Sequence, residues 1–173
     1  RGYDSAGIAM SGDSLSLCKT SGKIDDLRDA LSKTSLSGSV GIGHTRWSTH
    51  GPPTDGNAHP HQDCQGDVAV VHNGIIENYQ SLRDELVAAG HTFTSDTDTE
   101  VVPHLVEDAL AAGAEPEDAV RRAIDRLEGS YAIAAVVAGT DAIFAARYDS
   151  PLVLGLDDGA TYLASDVPAF RDF

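Results

Sequence analysis

The spacing of apolar residues changes twice along this chain, and that constrains its fold more than any other feature. Near the start, Ser5 to Met10 and Ser14 to Lys19 alternate on either side of Ser11-Gly12-Asp13, the pattern of a hairpin. Ile24, Leu27, Ala30 and Leu31 recur at helical spacing behind Asp25 and Asp26, and Val40 to His44 and Val68 to Val71 read as strands. The middle is helical: Leu82, Leu86, Val87 and Ala89 run up to Gly90, Thr97-Asp98-Thr99-Glu100 has capping-box spacing before Val101, and Pro116 opens a third helix that Gly129 should stop. From Ser130 alternation returns, with strands predicted over Tyr131 to Ala138, Ala142 to Arg147, Leu152 to Gly155 and Thr161 to Ala164 as an antiparallel meander. Strands at both ends around central helices predict an α+β architecture of sheets covered by helices, one domain over residues 1–173.

One segment has no period. Trp47 to Gly66 carries Pro52, Pro53 and Pro60 with Gly51, Gly56 and Gly66, and predicts a long ordered loop; loops of that length inside a domain are usually functional.

Charge excludes several partners. With 27 acidic and 12 basic residues the net charge is −15, a field that repels phosphate backbones and anionic membranes, so no nucleic acid and no membrane partner is expected. No apolar run reaches the roughly 20 residues that span a bilayer, and the start lacks the apolar core of a secretory signal, which predicts a cytoplasmic protein. The acid is mostly Asp, and Lys19, Lys23 and Lys33 are the only lysines, the surface habit of salt-adapted proteins. Cys18 and Cys64 form no C-x-x-C pair and read as spare thiols.

Polar residues concentrate at strand ends in Arg1-Gly2-Tyr3-Asp4-Ser5-Ala6-Gly7, His44-Thr45-Arg46-Trp47-Ser48-Thr49-His50-Gly51, Asn57-Ala58-His59-Pro60-His61, His72-Asn73-Gly74-Ile75-Ile76-Glu77-Asn78 and Ser95-Asp96-Thr97-Asp98-Thr99-Glu100. Each has a plain reading. Asn73-Gly74 is a common turn dipeptide, Arg46 can pair with any of many acids, Asp98 near a helix start is a routine cap, and Trp47 can be a buried structural ring. His44, His50, His59 and His61 invite a metal reading, but H-E-x-x-H is absent and the cysteines are badly spaced for a structural zinc, so no metal is expected. Nothing marks Cys64 as an activated thiol beside a histidine.

Together these five ordered segments resemble the glutaminase domain of the class II glutamine amidotransferases, N-terminal-nucleophile hydrolases, and the resemblance covers essentially the whole chain. Trp47-Ser48-Thr49-His50-Gly51 and Asn57-Ala58-His59-Pro60-His61 look like the glutamine:fructose-6-phosphate aminotransferase branch more than the purine-pathway phosphoribosyl branch. The resemblance implies a four-layer αββα sandwich of antiparallel sheets, L-glutamine as substrate, and no cofactor. It implies Asn73 and Gly74 as the oxyanion site, Arg46 on the α-carboxylate, Asp98 on the α-ammonium, and glutamine contacts from Trp47, Thr49, His50, His59 and Arg1. In the family an N-terminal cysteine is the nucleophile and lies ahead of the Arg1-Gly2-Tyr3-Asp4 motif, where this chain begins. The expectation is therefore a domain incomplete at both ends, without the sugar-isomerase domain of the parent chain, binding glutamine without turnover; the full-length form is expected to be a homo-oligomer. A noncatalytic glutamine-binding module and a His-rich metal protein are the competing readings.

Overall fold

A computed structural model describes residues 3–47 and 51–170. Strands β1 (Ser5–Ser11), β2 (Leu15–Ser21) and β3 (Val40–Arg46) form an antiparallel sheet in the order β2-β1-β3, with α1 (Ile24–Leu31) on its outer face. Asp26 starts that helix by accepting the Lys23 N–H at 2.6 Å. A second sheet, in the order β4-β5-β6-β7, comprises β4 (His61–Gln62), β5 (Val68–Ile76), β6 (Gly129–Val137) and β7 (Phe144–Tyr148). Helices α2 (Tyr79–Ala89), α3 (Val101–Ala111) and α4 (Pro116–Ile124) cover its outer face. No described helix is long and apolar enough to cross a membrane.

Alternation along the central strands builds the layers. Ala69, Val71, Ala134 and Val136 point to Ala9 and Ile42 of the first sheet, whereas Val68, Val70, Ile133, Ala135 and Val137 point to α2, α3 and α4. On the first sheet Ala6 and Cys18 face Leu27 of α1, opposite to Ala9. The order is therefore α, β, β, α, the four-layer αββα sandwich. Ile76, Leu86 and Ile133 are fully buried beneath the helices, each worth about 1.5–3 kcal/mol in burial.

Local pattern misplaces four features. β5 does not end at Val71: pairing with β6 carries it through Asn73 and Gly74 to Ile76, with Asn73 opposite Ala132 and Gly74 opposite Tyr131, so Asn-Gly is strand and not turn. Helix α4 stops at Ile124, and Gly129 instead begins β6 with φ of 122°. The terminal meander is split, because β8 (Val153–Asp157) and β9 (Ala160–Ala164) form a hairpin apart from β6 and β7. The capping box is not made: Glu100 accepts from Thr94 N at 2.7 Å and Ser95 N at 2.7 Å, and the Thr97 hydroxyl pairs with His61 Nε2 at 3.0 Å.

The aperiodic loop is held by side chains. Lys19 Nζ donates to the carbonyls of Gly56, Ala58 and Pro60 at 3.2, 2.8 and 3.1 Å, and Asp55 accepts from Ser21 N and Oγ at 2.6 and 2.7 Å. Gly7, opposite Lys19 in the β1–β2 register, admits the loop, since a Cβ there would overlap the His59 carbonyl and the Lys19 side chain.

Candidate active site

A cleft of about 570 Å³ opens where the ends of β3 and β5, the 3-10 turn Asp98–Glu100, the loop at His59 and the β8–β9 hairpin meet. Residues far apart in sequence, Arg46, His59, Asn73 and Asp98 among them, thus share one wall system. Antiparallel pairing of β1 with β3, Ser5 opposite Arg46, brings the Arg46 strand end there, and the β5–β6 pairing carries Asn73 and Gly74.

Arg46 and Asp98 are the only formally charged residues among the described residues that line the cleft, and both are deeply set, 5% and 6% exposed. Opposite charges held away from water suit a zwitterion, because each can make a charge-assisted bond that bulk solvent would weaken. Asp98 does not cap a helix. Its Oδ2 accepts the Ile76 N–H at 2.8 Å, which locks the turn to the end of β5 and orients the carboxylate.

Asn73 is exposed to the cleft, and its Oδ1 pairs with His44 Nε2 at 3.0 Å. Burial pushes His44 below its ordinary pKa, so it is a neutral ring; with its proton on Nε2 it donates to Asn73 Oδ1 and leaves the Asn73 Nδ2–H group turned to other acceptors. An amide so oriented is a ready donor for an oxygen on which negative charge develops. Gly74 has φ of 125°, and a Cβ there would run into the Ser130 carbonyl, so only glycine keeps this wall in place.

His44, His59 and His72 line the cleft, and His61 packs against His59. The rings of His44 and His59 lie 4.4 Å apart and those of His59 and His61 4.7 Å, while the Thr99 hydroxyl joins His72 Nδ1 at 2.9 Å and His59 Nε2 at 3.4 Å. Burial lowers all four: His59 well below its usual value, with His44 next among the causes, and His61 to about 3. They are uncharged at neutral pH and add no cation beside Arg46.

Of the residues singled out from sequence, Arg46, Trp47, His59, Asn73, Gly74 and Asp98 line this cleft, with Trp47 at its rim and 65% exposed, not a buried structural ring. Arg1, Thr49 and His50 lie outside the described residues. Neither cysteine lines the cleft: Cys18 is buried against α1, and Cys64 sits elsewhere, beside His91 and His104. Sequence reasoning gave no role to His72 and Thr99, although both lie inside recognised segments, nor to Lys19, which carried no signal beyond its place in a strand; their contacts are with residues more than 12 positions away.

The profile of a family described as "Glutamine amidotransferase domain" matches residues 44–172. A glutamine–fructose-6-phosphate aminotransferase (isomerizing) from Halobacterium salinarum is 61% identical over 98% of this chain and 28% of its own length. One from Sulfurisphaera tokodaii is 52% identical over 100% of this chain and 30% of its own length. The chain thus spans about 30% of the curated relatives it matches. Among solved structures, one described as the allosteric regulatory enzyme of purine biosynthesis superposes with a TM-score of 0.82 at 26% identity, over 98% of this chain and 37% of that one. A glutamine phosphoribosylpyrophosphate amidotransferase from B. subtilis gives 0.78 at 24% identity with the same coverage, a likeness of fold. With the αββα layers, one cation and one anion among the described residues lining the cleft, and a family match over most of its length, this chain belongs to the glutamine amidotransferase domain family.

Proposed function

We propose that this chain is the glutaminase portion of a glutamine–fructose-6-phosphate aminotransferase, releasing ammonia from L-glutamine for the amination of fructose 6-phosphate to glucosamine 6-phosphate at a sugar-isomerase domain of the same parent chain. The observation that carries the reading is the cleft's charge layout: a lone cation, Arg46, and a lone anion, Asp98, among its described lining residues, answer the carboxylate and ammonium of an α-amino acid. Asn73 Nδ2 and the Gly74 N–H then serve the amide oxygen of the side chain as it becomes an oxyanion. Trp47, Thr49, His50, His59 and Arg1 add further contacts to the glutamine. The nucleophile is the family's N-terminal cysteine, carried by the parent chain ahead of the Arg1-Gly2-Tyr3-Asp4 motif; neither Cys18 nor Cys64 takes that part. Identities of 52–61% to fructose-6-phosphate aminotransferases, against 24–26% to the purine enzymes, favour the sugar-phosphate branch. The parent acts in the cytoplasm as a homo-oligomer in this reading.

Calorimetric titration of L-glutamine into this chain tests the charge pairing. Binding is expected, with loss in Arg46→Ala, and an analogue lacking the α-amine should bind wild type and Asp98→Asn alike. Absence of binding at millimolar glutamine overturns the proposal. The branch is tested in the longer protein by supplying fructose 6-phosphate or phosphoribosyl pyrophosphate and identifying the aminated product.

A further inference from the structure

Away from the cleft, three segments converge on one point: Cys64 in the loop after β4, His91 in the loop after α2, and His104 with Glu107 one turn apart on α3. One ligating atom from each of the four lies within 4.8 Å of every other. We propose that Cys64, His91, His104 and Glu107 form a structural zinc site. Cys64 Sγ is 3.6 Å from His91 Nδ1 and 3.6 Å from His104 Nδ1, and Glu107 Oε2 is 3.0 Å from His91 Nδ1 and 3.2 Å from His104 Nδ1. Tetrahedral zinc with Zn–S of about 2.3 Å and Zn–N or Zn–O of about 2.0–2.1 Å has edges of roughly 3.5 Å from sulfur to nitrogen and roughly 3.3 Å from nitrogen to oxygen. The four observed edges match this to within about 0.3 Å.

The surroundings fit as well. Both imidazoles turn Nδ1 inward; His91 Nε2 pairs with Asp108 Oδ1 at 2.9 Å, the arrangement which fixes a metal-binding histidine in the right tautomer, whereas His104 Nε2 lies 3.9 Å from Glu100 Oε1 and makes no hydrogen bond. As a plain hydrogen-bond cluster the same geometry is crowded: Glu107 Oε2 would face Cys64 N at 3.1 Å and both Nδ1 atoms, and His91, bonded to carboxylates through both nitrogens, would have to carry two protons. With zinc, one thiolate, one carboxylate and two neutral imidazoles offset the dication, so the cluster has no net charge. One sulfur and two nitrogens disfavour calcium and magnesium, which prefer oxygen. Four protein donors close the coordination sphere, so the role is structural. His104 is fully buried while Cys64 is exposed, which leaves an entry path. Bound zinc would clamp the segment from His91 to Glu107, which includes Asp98 and Thr99 of the cleft.

The test uses the tag-free chain, stripped with chelator and titrated with Zn²⁺ or Co²⁺. Expected are one zinc per chain by elemental analysis, a higher melting temperature, and for Co²⁺ the intense visible bands of a tetrahedral ion with a thiolate charge-transfer band. Cys64→Ser, at an exposed position, should fold by circular dichroism, lose the charge-transfer band and bind zinc more weakly. Asp108→Asn, which alters only support for His91, should weaken binding by about 10–100-fold. Substoichiometric zinc, weak octahedral cobalt bands, or zinc binding and melting shifts that are the same in wild type and Cys64→Ser would each overturn the proposal.

Discussion

At the scale of single residues the proposed reaction divides labour by chemistry: Arg46 would meet the substrate's charge in the ground state, while the Asn73 amide would meet charge that arises during the reaction. In the longer protein, Asn73→Ala is therefore expected to lower kcat by about 10²–10³ with little change in KM. Arg46→Ala should chiefly raise KM. Steady-state kinetics on the two variants decide this, and equal effects of both on both parameters would contradict the division. Asp98 is a poorer probe than sequence suggests, because it also accepts the Ile76 N–H, so its loss disturbs the end of β5 as well as the substrate. Asn73 shows why a residue can be legible in identity but not in setting. The Asn-Gly dipeptide is visible in the sequence, yet its place inside a strand follows from pairing with β6, more than 50 residues on.

Among the elements, the loop between β3 and β5 depends most on one side chain. Lys19 is partly buried, burial lowers its pKa, and Glu100 and Asp55 oppose that shift. Its ammonium gathers three loop carbonyls. Lys19→Met keeps the apolar stem and removes the donors, so it is expected to cost about 1–3 kcal/mol in urea denaturation. It should also speed proteolysis within residues 51–60. Unchanged stability and cleavage would show that other contacts, such as Asp55 with Ser21, suffice. Loop order was legible from the motif density between Trp47 and Gly66; the anchor was not, since an isolated lysine in an alternating strand looks like any solvent-facing residue.

For the whole molecule, pH and salt act through the distribution of charge. His44, His59, His61 and His72 titrate lower when folded than their unfolded value of about 6.5, so the unfolded chain binds more protons below that pH. Their neutral burial is fully tolerated above pH ~6.5, and stability falls as the pH drops beneath it. Arg46 and Lys19 strengthen the trend at His61, while Glu100 opposes it. His104 has the opposite sign: its raised pKa contributes stability that is lost as pH rises through the folded value. The four lowered histidines predict a lower melting temperature at pH 5 than at pH 7.5, and a flat profile would refute that. The net charge of −15 predicts a second dependence. Self-repulsion acts over about 30 Å at 0.01 M salt and about 3 Å at 1 M, so the melting temperature should rise with potassium chloride. A neutral osmolyte serves as the comparison for excluded-solute effects, and a flat or falling response to salt counts against a salt-adapted surface.

Element types, the layered α+β class and the segments that crowd the cleft were legible from local pattern, because hydrophobic period, caps and motif chemistry act over a few neighbours. It took the folded chain to show that β5 runs on to Ile76, that Asp98 shares a cleft with Arg46 and accepts the Ile76 N–H instead of capping a helix, and that Cys64 meets His91 and His104. Those outcomes rest on hydrogen bonds and charge pairs between residues brought together by sheet pairing and helix packing. Such contacts leave no periodic trace along the chain.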